Sequence, residues 1–335
     1  MKLTLKNIGS LAVISLGVAI AFLVNSLQGA ISPLFLSLLF GLLITNTIGW
    51  SESEVMNFVA KKALRLGVIL LGFQISLDQL VEIGLKGVAA VTIVVVGVFF
   101  GVRLITRRLG LSQPLSTFIA SGFAICGATA IAAVSSTLLK GKSEEERKER
   151  ERDISYAVAI VALCGTLSIF VLPLFGQLLG LSDSMTGAWI GAAVHDVGQV
   201  VATAALVSDE AVETSIIVKL TRVVMLIPLV IFLARESARE SGEVSRAALR
   251  KSLPVFVFFF VMVAILNNLF AFNSSIVDLG IEGSKVFLSL GLFAMGLGVK
   301  WKSIARLGAR PMVIGISLWL LSATFALAVV SLFGF

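Results

Sequence analysis

Residues 114–139 read PLSTFIASGFAICGATAIAAVSSTLL, with RLITRR (103–108) before them and KGKSEEERKERERD (140–153) after. The stretch is apolar and long enough to span a bilayer, for which about 20 residues suffice. Both flanks are strongly basic, and basic loops stay on the cytoplasmic side. A single crossing would put one of those loops outside. A re-entrant hairpin resolves the conflict, because both of its ends return to the same side.

The rest of the chain has the same character. Of 335 residues, 57% are hydrophobic and 14% are charged, against about 45–50% and about 25% in soluble domains. Apolar segments fall at 11–25, 31–49, 63–80, 85–103, 114–139, 154–176, 186–206, 214–234, 252–271, 285–299 and 311–333. No polar stretch between them is long enough for a soluble domain, so a single polytopic membrane domain over 1–335 is expected. The N-terminal Lys2 and Lys6, the apolar run 11–24 and small residues Ser26, Gly29 and Ala30 also fit a signal peptide. A retained first helix is the preferred reading, since the whole chain is multispanning.

The net charge of +7 does not indicate nucleic-acid binding, because the basic residues sit in short loops. Clusters at 2–6, 61–65, 103–108, 140–152, 235–251 and 300–310 hold 23 of the 27 Lys and Arg residues and are all expected to be cytoplasmic. Loop 177–185 has no Lys or Arg, and loop 207–213 is acidic through Asp209, Glu210 and Glu213. Both are expected outside, which makes 186–206 a second hairpin entering from the outer face. Nine full crossings remain, with the N-terminus cytoplasmic and the C-terminus outside. Cys126 and Cys164 lie in apolar segments and suggest no disulfide framework.

The two hairpins echo one another. GFAICGATAIAA (122–133) is followed by Asp153, Ser155 and Pro173; GAAVHDVGQVVAT (191–203) is followed by Glu213, Ser215 and Pro228. A second echo pairs LGFQISLDQLVEIGLKG (71–87) with MGLGVKWKSIARLGARP (295–311), matching Gly72 to Gly296, Gly84 to Gly308 and Lys86 to Arg310. The charge pattern gives the members of each pair opposite orientations. The expected fold is therefore an all-α membrane protein of the inverted-repeat transporter type, with two broken or re-entrant helical hairpins. The first repeat runs to about residue 176 and the second starts at about 186.

Three motifs carry chemistry. Gly122 and Gly127 would interrupt a helix at membrane depth, where broken backbone is tolerated only beside protein or a water-filled cavity. A half-helix N-terminus there offers free N–H groups to an anion; Cys126, Gly127 and Thr129 surround it, and Ser121 adds a hydroxyl. Tight packing through small residues is the alternative. In VHDVGQVVATA, the sole histidine, His195, stands beside Asp196 with Gln199 one turn on. Ionisable groups at membrane depth are rare and usually functional, and histidine titrates near neutrality, so His195 and Asp196 are candidates for ion coupling. A satisfied polar pair is the alternative. No second histidine exists, and no metal site is expected. In VKLTRVVMLIP (218–228), Lys219 and Arg222 share a helix face. They form either an anion site or an internal pairing with Asp153, Asp196 or Glu213.

ICGATAIAA, HDVGQVVATA and KLTRVVMLIP, in that order, resemble the hallmark stretches of the sulfate-exporter family of YeiH-like membrane proteins. That family commonly carries serine at the position of Thr129 and isoleucine at that of Val194; both changes are conservative. The family is distantly similar to the bile-acid symporter and cation–proton antiporter folds. The resemblance implies sulfate or a related sulfur oxyanion as cargo.

The expectation is a secondary transporter of the bacterial inner membrane. It would export a small anion such as sulfate or sulfite through Cys126, Gly127, Thr129, Gln199, Lys219 and Arg222, with coupling to H+ or Na+. An anion channel is the alternative. With no nucleophile–base pair, an enzyme is not expected; nor is a cofactor or a nucleic-acid partner. The lipid bilayer is the surrounding partner, and a homodimer is left open.

Overall fold

The computed structural model describes residues 5–28, 32–50, 53–74, 77–138, 144–241, 255–270, 272–300 and 309–335. Lys2, Gly29, Ala30, Gly308 and parts of the basic clusters 140–152, 235–251 and 300–310 lie outside them. The described residues form helices and no strands. In chain order these are α1 (Leu5–Gln28), α2 (Pro33–Ile44) with a π-turn Thr45–Gly49, α3 (Glu54–Leu70) with a 3-10 turn Leu71–Phe73, α4 (Leu77–Arg108), α5 (Gln113–Ala124), α6 (Ala128–Leu138), α7 (Glu144–Leu178), α8 (Asp183–Ala193), α9 (Val197–Ala204), α10 (Asp209–Val224), α11 (Leu226–Ser241), α12 (Val255–Phe270), α13 (Ser274–Gly298) and α14 (Ala309–Phe333).

Among the described residues, five stretches are long and apolar enough to cross a membrane: Ile8–Leu27, Gly87–Arg108, Glu149–Leu178, Asp209–Glu236 and Met312–Phe333. Leu16, Phe258, Leu269, Phe270, Leu279 and Leu332 point outward. Apolar surface of that extent would aggregate a water-soluble protein and is the ordinary lipid-facing surface of a membrane one.

Two expected boundaries are wrong for one reason. Segment 63–80 straddles the end of α3 and the start of α4, because α3 begins at Glu54, where Ser53 caps it by accepting from the Met56 amide. Segment 285–299 begins too late, because α13 starts eleven residues earlier, at Ser274, where Asn273 caps it. Both helices open with a polar turn and are amphipathic, so apolarity locates their buried half while capping sets their ends. The expected single segment 214–234 is interrupted at Met225. Pro228 has no N–H to offer Val224 and its ring opposes that carbonyl, so α10 stops there.

The chain folds as two compact units. The first comprises Met1–Glu82, Val201–Glu213 and Val255–Arg306. Its core helix is α13, which runs parallel to α2 and antiparallel to α3. Along α2, Thr45 Oγ1 donates to Leu297 O (2.7 Å) and Asn46 Nδ2 to Val299 O (2.8 Å). Along α3, Ser284 Oγ donates to Gly67 O (2.8 Å), and Gly291 lies against Leu64. Glycine makes these approaches feasible: a Cβ on Gly296 would strike the backbone of Leu38 and Leu42, and one on Gly72 the backbone of Phe260 and Ala264. Gly72 and Gly296, matched in sequence, thus do the same job. α12 runs parallel to α3, with the Arg65 guanidinium 5.7 Å from the Phe256 ring and Asn267 Nδ2 donating to Phe73 O (2.9 Å). Ile14, Val18, Met56, Phe293, Ala294 and Leu297 close the core.

The second unit comprises Ile83–Val200, Thr214–Pro254 and Leu307–Phe335. α5 and α14 lie parallel to the long α7. Ser112 Oγ donates to Asp153 at one end of α5, while Gly122 sits on Val161 further along. Gly315 sits on Ile160, and Trp319 Nε1 donates to Ser168 Oγ (2.8 Å). α4 runs parallel to α10–α11, through Phe99 and Phe100 against Phe232 and a two-pronged Arg103–Glu236 ion pair (2.7 and 3.1 Å). This unit holds every candidate site residue.

Candidate functional site

The site is built from a tetrapeptide that occurs twice, Leu109-Gly110-Leu111-Ser112 and Leu179-Gly180-Leu181-Ser182. In the first copy Gly110 has φ +80°, its N–H donates to Arg107 O, and Leu111 N–H reaches back to Thr106 O. In the second, Gly180 has φ +64°, its N–H donates to Gln177 O, and Leu181 N–H to Gly176 O. This pair of bonds is the glycine helix stop of the Schellman type. Each serine then caps the next helix, Ser112 accepting from Leu115 N and Ser182 from Met185 N. The result is two matched inserts, α5–break–α6 and α8–break–α9. The repeated LGLS is legible in the sequence and marks where each insert begins.

The first break follows Ala124. Gly127 has φ +62°, a conformation that L side chains rarely adopt, and its N–H donates to Gly122 O (3.0 Å). The chain then turns back, so that the Ile131 side chain of α6 lies on Gly122 of α5. The second break follows Ala193. Asp196 caps α9 by accepting from Gly198 N (2.9 Å), and Gln199 Oε1 reciprocates by accepting from Asp196 N (3.3 Å), which together make a capping box. The other end of Gln199 donates to Ala162 O (3.3 Å), and Gly165 leaves it room. The two breaks meet, with Gly127 packed against His195.

Lys219 and Arg222 of α10 hold them there. Lys219 Nζ donates to Ile125 O (2.6 Å) and Val194 O (2.8 Å), one carbonyl from each break. Arg222 Nε donates to Ala124 O, Nη2 to Phe123 O and Ala124 O, and Nη1 to Gly191 O, Ala192 O and Val194 O. These are the orphan carbonyls at the C-termini of α5 and α8, where the helix dipole is negative. Both cations are fully buried.

The carboxylates that were alternative partners for these cations lie otherwise. Asp153 accepts from Ser112, Glu213 pairs with Gln74 in the first unit, and Asp196 caps α9 within electrostatic reach of Lys219.

The other candidates divide by exposure. Thr129, in the first turn of α6, is exposed, and so is Ala128 beside it. Cys126 is buried within electrostatic reach of Lys219, Asp196 and Arg222. His195 is wholly buried, its ring 4.4 Å from that of Phe123. The Phe123 carbonyl, already engaged by Arg222, stands near the imidazole, yet neither ring nitrogen makes a well-formed hydrogen bond.

All-helical architecture, apolar outer surface and buried charges at two helix breaks define a multi-pass helical membrane protein. The family model described as "Conserved hypothetical protein 698" matches residues 9–315, and the chain belongs to that family. It is 30% identical over 316 residues to a UPF0324 membrane protein of Corynebacterium glutamicum, covering 94% of this chain and 89% of that one. It is 31% identical over 299 residues to the UPF0324 inner membrane protein YeiH of Salmonella typhimurium, covering 87% and 83%. It is 33% identical over 301 residues to a UPF0324 membrane protein of Wolinella succinogenes, covering 86% and 85%.

Proposed function

We propose that the chain is a secondary carrier, and not an enzyme, that exports a small oxyanion such as sulfate or sulfite across the bacterial inner membrane. One observation carries the reading. Two basic side chains, Lys219 and Arg222, are buried where two helices break, and their bonding partners are backbone carbonyls. Buried charge of one sign at membrane depth is expensive and marks an ion pathway more often than a structural joint. The N-termini of α6 and α9 add positive dipole at the same place. Thr129 and the first turn of α6 form its exposed face, while Gln199 and Gly127 shape the breaks. The matched LGLS–helix–break units support an inverted-repeat reading, with the N-terminus cytoplasmic and the C-terminus outside. His195 and Asp196 are the groups assigned to ion coupling.

Counterflow into proteoliposomes from a panel of labelled anions tests the proposal. A carrier saturates and exchanges label against a gradient. Flux that neither saturates nor shows counterflow makes the protein an anion channel. Under an imposed pH gradient, proton-coupled transport depends on pH between about 5 and 8, the window where histidine titrates, and His195→Gln flattens the dependence.

A further inference from the structure

We propose that His195 is a direct ligand of the transported anion and that the site loads a dianionic oxyanion together with one proton held on this imidazole. The inference rests on the carrier reading above and names the cargo's charge and the group that matches it.

Arg222 has no donor to spare, since all three guanidinium nitrogens are bonded to carbonyls of α5 and α8. Lys219 is held by Ile125 O and Val194 O. Both cations therefore set the potential and the shape of the breaks more than they grip a ligand. His195 is different: it is completely buried beside them, and neither ring nitrogen makes a well-formed hydrogen bond. A buried polar group left unsatisfied costs about 1–3 kcal/mol, so this imidazole is placed where an added acceptor has most to satisfy.

The charges facing it set the kind of acceptor. Lys219 and Arg222 approach from α10, Cys126 lies in the first break, and Asp196 follows it in its own. With both bases protonated and the carboxylate ionised, these groups carry one net positive charge. A monoanion balances that; a dianion needs one more positive charge. Imidazolium supplies it, and in that form both ring nitrogens are donors. Imidazolium alone, beside two cations and with only the already engaged Phe123 carbonyl near its ring, is doubly unfavourable. A dianion removes both objections by accepting an N–H and by favouring the charged ring. In this step a proton passes from the buffer acid in solution to the free ring nitrogen, leaving the buffer base, and an N–H···O bond forms to an anion oxygen; no covalent bond of the anion changes.

His195 is the only histidine in the chain, so its ring can be observed directly. Protein without a histidine tag, labelled with ¹⁵N-histidine, is titrated with sulfate and with thiosulfate at about pH 7.5, above the usual range of histidine titration. Proton uptake is measured in parallel in weak buffer. The expected result is a shift of the ring nitrogens from neutral to imidazolium with about one proton taken up per dianion, the stoichiometry of a single imidazole. Nitrate, a monoanion, should bind without uptake. His195→Gln should lower dianion affinity about 10- to 100-fold, the loss of one charge-assisted hydrogen bond, and abolish uptake. The inference is overturned if dianions bind while the ring stays neutral, or if uptake survives in His195→Gln and disappears in Asp196→Asn. Absence of saturable binding of any anion by the wild-type protein overturns the carrier reading as well. Because the ring signal is read in the wild-type protein, the test does not depend on whether the variant folds.

Discussion

Arg222 draws six carbonyl contacts from the ends of two helices. Arg222→Gln cannot reach them all and leaves several buried carbonyls unpaired. We expect it to destabilise the protein by about 3–5 kcal/mol, the range for removing one partner of a buried ionic contact. A thermal shift in detergent reads this, and a variant as stable as wild type would show that the carbonyl contacts contribute little. Arg222→Lys keeps the charge but not the fork and should recover only part of the loss. At Gly127 the backbone, not space, is limiting: the nearest atoms to a Cβ are 3.4 Å or more away, but φ is +62°. Gly127→Ala should therefore cost about 1–2 kcal/mol, the penalty of the left-handed region, with little effect on packing. Asp196→Ala removes the α9 cap, worth about 0.5–2 kcal/mol, and also a carboxylate near Lys219.

At the scale of elements, helix stops and caps make the broken inserts. Gly110 and Gly180 terminate, and Ser112 and Ser182 restart, so that α5 and α8 each run for 12 and 11 residues before breaking. Ser112 is bonded twice, to the Leu115 amide and to Asp153 of α7. Ser112→Ala should destabilise more than Ser182→Ala, by up to about 1 kcal/mol for the added neutral-to-charged contact at an exposed position; equal losses measured by chemical denaturation would remove Asp153 from the account. In the first unit, Gly296→Val places side-chain atoms into the backbone of Leu38 and Leu42. Overpacking of this kind costs about 1–3 kcal/mol or more, and here the opposing atoms are backbone, so loss of folded protein on size-exclusion chromatography is the expected outcome.

At the scale of the whole molecule, the re-entrant reading is open to a direct check. Ile131 of α6 lies on Gly122 of α5, so the ends of that insert lie on the same side of its break. Single cysteines introduced at residues 104–113 and 140–153, in a background lacking Cys126 and Cys164, should label from the cytoplasmic face alone. Labelling from opposite faces would sink the hairpin and the repeat argument that rests on it.

Much of this was legible in the amino-acid order. Membrane residence followed from apolar runs, because lipid accepts what a soluble core cannot. The helix break at Gly127 was legible from its glycines, and the burial of His195, Lys219 and Arg222 from the apolar segments that carry them. Helix starts at Glu54 and Ser274 are set by caps and not by apolarity, so hydropathy does not locate them. What only the tertiary structure decided is which groups the two cations bond. A sequence displays side chains, so it offers carboxylates as the partners of Lys219 and Arg222. Backbone carbonyls belong to every residue alike, and they become strong acceptors only where a helix ends and leaves them unpaired. That depends on two helices, about 70 residues apart in the chain, stopping at one point in space.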